Sequence, residues 1–285
     1  MKKPLIAVVI VLILSTAACS VSNIEMKTIE TRAVGVSEEL PSGLGVTELL
    51  FNMTGGEFNI SPGSDVLVSG AITYNVAQWE PQFTRSNNLF EIKQVSPYRF
   101  SGIPTDDVVN TWDLAIANNL PIALTIEGGA SKNSFNFTGL QLTQLKIIQG
   151  ASDTNLRFDS PNPQVMQDFT FTTGASSADL YGLGYANFNT MTFTSGAGDY
   201  TLDFTGALNH DVTVEVKSTV SNITIIVPNG MKAMVINQGT ISNINTQGTW
   251  LLTDNTYATL EEGYTLTINL DMAVGNVNLQ QGNLE

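Results

Sequence analysis

A four-residue segment recurs seven times between residues 129 and 276, and its spacing constrains the fold more than any other feature. Successive segments start 21, 24, 22, 23, 21 and 33 residues apart, the third position is always Ser or Gly, and the fourth is always polar. The segments begin at Gly129, Gly150, Gly174, Gly196, Thr219, Thr240 and Ala273. A period near 22 residues indicates a stack of repeats, because a unit this small cannot bury its own apolar face.

Apolar residues flank these segments at alternate positions. Leu124 and Ile126 precede the first segment and Phe135 follows it, and the other copies keep this pattern except at Asn237 and Thr246 of the Thr240 unit. Alternation predicts strands with one buried face. The small residues between the strands predict a tight turn, because Gly tolerates unusual backbone angles and Asp or Asn bonds its own backbone.

The polar fourth positions are expected to lie near one another on one edge of the stack. We call them the turn ladder: Asp153, Asp199, Asn222, Asn243 and Asn276. Side-chain stacking between neighbouring units explains this column without a metal. A calcium site is the alternative, because Gly196-x-Gly198-Asp199 partly matches the calcium-binding nonapeptide, but those sites need a nine-residue period. We therefore predict neither a metal site nor a cofactor.

The repeat organises the chain into an all-β protein. We predict a repetitive stacked-sheet or β-solenoid-like body, with an N-terminal β region over residues 45–125 and a β-repeat domain over residues 126–285. An eighth copy at Thr54-Gly55-Gly56-Glu57 lies in the N-terminal region, which is expected to cap or precede the stack. Residues 19–44 have weak periodicity and are interpreted as a lipidated N-terminus and tether.

Residues 1–18 have the pattern of a secretory signal. A short basic start precedes an apolar run of about ten residues, which is too short to cross a bilayer. The only cysteine, Cys19, directly follows Ala17-Ala18 and resembles the cysteine of a bacterial lipobox, with Thr16 where Leu is commoner. This resemblance implies cleavage before Cys19 and lipidation of Cys19, which would anchor the protein to the membrane. An ordinary signal peptide and a retained membrane helix are the alternatives.

The charge of the chain excludes one class of partner. The formal net charge is −14, and charged residues make up 13% of the chain. Nucleic-acid binding relies on Lys and Arg that neutralise phosphates, so no nucleic-acid partner is expected. The acidity favours a soluble body held away from anionic lipid headgroups.

The motif Gly196-Ala197-Gly198-Asp199-Tyr200-Thr201-Leu202-Asp203-Phe204 and the Gly-Ala-Ser copies carry a family resemblance. Together with the Ser-Asn copies at 221–222 and 242–243, they resemble the toast-rack domains of bacterial surface proteins. They are also similar to putative-adhesin β-repeat domains and, more distantly, to the C-terminal domain of LiaF-type envelope-stress regulators. The resemblance covers residues 45 to 285 and implies a rack-like β architecture at the cell surface. It implies no functional residue.

A search for catalytic residues is largely negative. His210 is the only histidine, lies in Asn209-His210-Asp211, and is interpreted as a turn residue. The sequence has no nucleophile elbow and no phosphate-binding loop. A glycosidase needs only two carboxylates, and the carboxylates that could line one edge are Asp153, Asp179, Asp199 and Asp203. Asp179 and Asp203 fall at different offsets from their repeats, and no basic or aromatic residue recurs beside them, so we assign no catalytic residue.

The leading interpretation is a lipid-anchored protein at the outer face of a bacterial membrane, with a non-enzymatic role in binding, adhesion or structure. The membrane through the lipid anchor is one expected partner, and a surface glycan or a membrane protein is another. Exposed aromatic rings suit carbohydrate faces, and the candidates are Tyr181, Tyr185 and Trp250. The alternatives are an envelope sensor or regulatory subunit that acts with a membrane partner, and an enzyme acting on polysaccharide.

Overall fold

The computed structural model describes residues 28–43, 45–94, 107–240 and 242–282. Within these ranges the chain forms seventeen β-strands and two single 3-10 turns, Ala77–Trp79 and Leu183–Tyr185, so the all-β prediction is confirmed. The strands are β1 (Thr28–Glu38), β2 (Thr47–Pro62), β3 (Val68–Val76), β4 (Pro81–Ser86), β5 (Leu89–Gln94), β6 (Asn110–Ile116), β7 (Pro121–Asn136), β8 (Gln141–Gln149), β9 (Ser152–Arg157), β10 (Met166–Tyr181), β11 (Phe188–Asp203), β12 (Val212–Val227), β13 (Lys232–Asn237), β14 (Ser242–Gln247), β15 (Leu251–Thr253), β16 (Thr256–Ala258) and β17 (Thr265–Gln281).

Most repeat segments lie inside long continuous strands, so the prediction of a tight turn there is wrong. β10 runs through the Gly174 segment and β11 through the Gly196 segment, and the two strands stay paired on both sides of it. Each long strand bends instead. In β11 the rings of Phe193 and Tyr200 lie 5.2 Å apart, whereas seven residues of straight strand span about 23 Å. The ladder hydrogen bonds to neighbouring strands keep the backbone extended through the bend.

The bend divides each long strand into two arms that run in opposite directions. Only residues 137–140 join the end of the second arm of β7 to the start of β8, which lies beside the start of β7. Four residues would be too few to bridge that distance if the two arms were perpendicular, so the second arm must run back along the first. The first arms form layer A, whose order is β4, β5, β2, β7, β8, β10, β11, β12, β17, β13, β16, β15. The second arms form layer B, whose order is β1, β3, β6, β2, β7, β9, β10, β11, β12, β17, β14.

One hydrophobic core fills the space between the layers along the whole stack. The buried positions of a long strand shift by one residue at the bend. In β10 the odd-numbered Phe169 and Phe171 are buried before the bend, and the even-numbered Ala178 and Leu180 are buried after it. We call one first arm and the second arm that follows it a coil. Aromatic rings stack between neighbouring coils, as Phe171 stacks on Phe193 with 5.5 Å between the ring centroids. Because adjacent coils bury one another's apolar side chains, the core is shared rather than built unit by unit.

Hydroxyl groups line the inside of the bend, where the third position of each repeat is Ser or Gly. Thr173 donates to Ser176 at 2.8 Å, and Ser195 donates to Ser218 at 2.8 Å. In β11 the third position is Gly198, and the Tyr200 hydroxyl takes the place of a serine, donating to the Ala197 carbonyl at 3.0 Å. These contacts satisfy polar groups that the bend would otherwise bury unpaired.

The N-terminal end of the stack corrects one part of the predicted organisation. Thr28–Glu38 is not tether but strand β1, which pairs antiparallel with β3 and extends layer B. Its apolar residues are few, and pairing of its backbone with β3 rather than burial of its side chains makes it a strand. The expected boundary at residue 125 falls within β7, whose first arm pairs with β2 of the N-terminal region. Cys19 and the predicted signal lie outside the described residues.

At the C-terminal end the order of strands departs from the order in the sequence. β17 lies between β12 on one side and β13 and β14 on the other. Residues 250–263 contain the antiparallel pair β15 and β16, which continues layer A beyond β13. This added pair explains the 33-residue spacing of the last repeat. Among the described residues, no helix has the length and apolar character needed to cross a membrane.

Candidate binding face

The turn ladder lies in register on the outer side of layer B. Strand pairing aligns Asp153 with Ser177, Ser177 with Asp199, and Asp199 with Asn222. The column continues through Asn276, which pairs with both Asn222 and Asn243. The structure therefore brings all five ladder residues into one exposed column, and β17 places Asn276 before Asn243.

Side-chain hydrogen bonds connect neighbouring rungs of this column. Ser177 donates to Asp153 at 3.1 Å, Asn222 donates to Asp199 at 2.8 Å, and Asn276 donates to Asn222 at 2.9 Å. These bonds order exposed polar side chains at the ~4.8 Å spacing of adjacent strands. Within the described residues, no group of three or more His, Cys, Asp or Glu side chains is arranged to hold a metal ion.

We define the ladder face as the outward side chains of layer B, which form three parallel columns. The turn ladder, with Glu57, Lys132 and Ser177, is the first column. The second column lies two residues further along each strand and is polar in every coil: Asn59, Ser134, Asn155, Asp179, Thr201, Thr224, Asn278 and Asn245. The third column includes Arg157 and Tyr181, which pair in register.

Two adjoining open grooves cross the N-terminal part of the ladder face. One has a volume of about 400 Å³ and is lined by Glu57, Asn59, Lys132, Asn133, Ser134, Asp153, Asn155 and Asp179. The other has a volume of about 410 Å³, shares Asn59 and Ser134 with the first, and extends to Asp113, Asn136 and Arg157. These volumes fall in the range of small-ligand sites. Their walls offer amide, hydroxyl and carboxylate groups together with two cations, a mixture that matches the donors and acceptors of polar ligands.

The three predicted aromatic residues do not form one patch. Tyr181 lies on the ladder face, where burial, and then the charges of Asp179 and Asp203, raise the pKa of its phenol above the usual 10.0. Tyr185 lies in the 3-10 turn between β10 and β11 and packs partly against the core. Trp250, near the C-terminal end of the stack, also packs partly against the core. Trp250 donates its indole N–H to the Gln247 carbonyl at 3.1 Å.

The remaining candidate groups have structural contacts. His210 lies between β11 and β12, where its Nε2 is 3.1 Å from the Phe188 carbonyl oxygen. Asp203 is buried and accepts hydrogen bonds from the backbone N–H and the hydroxyl of Thr205, at 2.9 and 2.7 Å, which caps the end of β11. Of the other three carboxylates, Asp153 and Asp199 stand two strands apart with Ser177 between them.

The sequence reasoning missed the groove residues Asn59, Asp113, Asn136 and Arg157. A signal for the second column was present, because the residue two positions after the turn ladder is polar in every repeat. Asp113 carried no such signal, since β6 lies outside the repeat and reaches the face only by pairing with β2, where Asn59 donates to Asp113 at 2.7 Å.

Comparison with known proteins finds one family model that matches part of the chain. Residues 43–164 match the N-terminal domain of toast_rack, also called DUF2154. No curated protein matches the chain. Among solved structures, the chain is similar to a putative cell adhesion protein from Clostridium sporogenes, with 17% identity, a TM-score of 0.49, and coverage of 90% of this chain and 100% of that one. It is also similar to a putative adhesin from Bacteroides fragilis, with 13% identity, a TM-score of 0.43, and coverage of 89% and 97%. The matched residues 43–164 contain strands β2 to β9 and nearly all of the groove residues, and the match supports the expected resemblance to toast-rack domains.

Proposed function

We propose that the protein is a lipid-anchored, non-enzymatic surface protein that binds glycan through the grooves of the ladder face. The observation that carries this proposal is the pair of adjoining grooves over β2, β6, β7 and β9, which hold polar side chains in register, beside Ile60, Leu114 and Ala115 in one of them. Glycans present many hydroxyl groups at regular intervals, and a rigid array of amides, hydroxyls and carboxylates can bond several of them at once.

The rigidity of the array supports binding rather than catalysis. Parallel strands hold the groove side chains at fixed spacing, so little side-chain freedom is lost when a ligand binds. Asp203, one of the four candidate carboxylates, is buried and accepts two hydrogen bonds from Thr205. Asp153 accepts a hydrogen bond from Ser177, and Asp199 accepts one from Asn222. Asp153 and Asp199 thus bind neighbouring side chains of the face.

A glycan array with the purified protein tests the binding proposal. The parent protein is expected to retain a defined set of glycans, and the Asn59→Ala and Arg157→Ala variants are expected to lose about tenfold or more in affinity, which corresponds to the loss of one or two ligand hydrogen bonds. The matched control is Thr192→Ala, which alters the outer side of layer A in the middle of the stack. A parent protein that binds no glycan, or groove variants that bind as well as the parent, would contradict the proposal.

The anchor is tested separately. The full-length protein and its Cys19→Ser variant are expressed in a bacterial host, labelled with a palmitate analogue, and digested with protease on intact cells. We expect label on the parent only and a body that protease removes from outside. An unlabelled parent that is released into the medium would contradict the anchor while leaving the glycan test unaffected.

A further inference from the structure

The two layers end at different heights at the C-terminal end of the stack. Beyond β17, layer A continues for three strands, β13, β16 and β15, whereas layer B continues for one, β14. Layer A therefore overhangs by two strands, or about 10 Å at the usual strand spacing. We call this overhang, together with the free edge of β14 below it, the C-terminal step.

The inner side of the overhang is apolar and open. Leu252 pairs with Tyr257, which pairs with Val235, so the three side chains share the inner face of layer A. Val235 is fully buried, but Leu252 is 54% exposed because no described strand of layer B lies opposite. Thr246 is exposed for the same reason, although its strand partner Leu279 is fully buried. Because Thr246 faces open space rather than the core, this position can be polar here, whereas the same position is apolar in the other repeats.

The edges at this end lack the usual protection against strand pairing. At the opposite end of the stack, edge strand β4 contains Pro81 and Arg85, and edge strand β1 contains Glu30, Arg32 and Glu38. Charged residues and proline are the devices that keep sheet edges from pairing with other chains. Strands β14 (SNINTQ) and β15 (LLT) have neither. The only charged residue between Leu251 and Ala258 is Asp254, in the turn that joins β15 to β16, so in a chain of net charge −14 the edge strands β14 and β15 bring no like charges of their own together when a second copy approaches.

The step is complementary to itself. A two-fold axis parallel to the strands places layer A of one copy in line with layer B of the other, so each two-strand overhang fills the two positions missing opposite it. The axis preserves strand direction. β15 runs with the first arms, since it is antiparallel to β16, which is antiparallel to β13, and β14 runs with the opposed second arms. β15 of one copy thus meets β14 of the other antiparallel, the pairing that needs no crossover connection.

We propose that two copies of this chain join through their C-terminal steps, with β14 of each copy pairing with β15 of the other. The interface buries Leu252, Tyr257 and Thr246 of both copies and is isologous, as two-fold contacts require. It is small, so the dimer is expected to dissociate in the micromolar range. The joined stacks would present two ladder faces on opposite sides of one continuous body.

Light scattering coupled to size-exclusion chromatography of the full-length chain in detergent tests this proposal over a range of protein concentrations. The parent is expected to reach the mass of two chains as concentration rises. Thr246→Lys and Leu252→Lys place a charge inside the step and are expected to weaken the dimer by about tenfold or more. Thr219→Lys makes the same change at an exposed position of the β12 bend and is expected to leave the dimer intact.

Each variant is also checked by thermal melting, because both step positions are exposed and should tolerate the change. A parent that stays monomeric at its solubility limit would overturn the proposal. This holds even if the step then binds a different protein, because the proposed partner is a second copy of this chain. A parental dimer that survives both lysine variants would overturn it as well, since the contact would then lie elsewhere. Neither result depends on whether the ladder face binds glycan.

Discussion

The close stacking of coils at the bend makes a sharp prediction for Gly198. A Cβ atom added there would lie 1.7 Å from the Ser176 carbonyl oxygen of the neighbouring coil, and Gly198 has a φ of +151°. The backbone conformation alone costs an L-residue about 1–3 kcal/mol. Relief of the overlap requires β10 and β11 to separate locally by about 1.5 Å, which breaks one or two ladder hydrogen bonds at about 1 kcal/mol each. Gly198→Ala is therefore expected to lower the free energy of unfolding by about 3–5 kcal/mol.

Two other glycines separate the contributions of strain and overlap. Gly139 has a φ of +75° but nothing within 4 Å of an added Cβ, so Gly139→Ala should cost about 1–2 kcal/mol from backbone strain. Gly35 has neither feature, so Gly35→Ala should be neutral or stabilising by about 0.5–1 kcal/mol. Urea unfolding followed by circular dichroism and tryptophan fluorescence measures all three. If Gly198→Ala destabilises no more than Gly139→Ala does, coils do not stack at the bend as closely as the structure has them.

Three further predictions concern buried and titrating groups. Asn110→Leu removes a buried amide that donates hydrogen bonds to Gly55 and Gln94, so it should lower the free energy of unfolding in urea by about 2–4 kcal/mol. A loss as small as that of Asn155→Leu on the surface would contradict this prediction. Phe193→Ala leaves a cavity between coils and should cost about 3–5 kcal/mol by the same measurement; a cost under about 1 kcal/mol would mean that Phe193 is not in the core. Because the pKa of Tyr181 is raised in the folded state, the unfolded chain ionises first, and stability should fall as pH rises above about 10. Tyr181→Phe should show a smaller fall in urea midpoints as pH rises above about 10, and an unchanged profile would refute the assignment.

Part of the candidate site could be read from the sequence because strand stacking repeats in register. Residues at the same place in successive repeats must lie on the same column of a parallel stack, so the positions of Asp153, Asp199 and Asn222 followed from alignment alone. The grooves could not be found this way. They lie where β6, a strand without the repeat, joins β2 and brings Asp113 beside Asn59.

The sequence by itself determined the β class, the period and the inward and outward sides of the strands, because apolar alternation and repeat length are local properties of the chain. Tertiary structure decided the rest. A Gly-Ala-Ser segment suits a turn and a bend equally, and only the hydrogen bonds to neighbouring coils keep it inside one strand. β1 is a strand because β3 offers it a paired edge. β17 enters between β12 and β14 because long-range pairing rather than chain order sets the sequence of strands in a sheet. The pair β15 and β16, which extends layer A alone, leaves the C-terminal step.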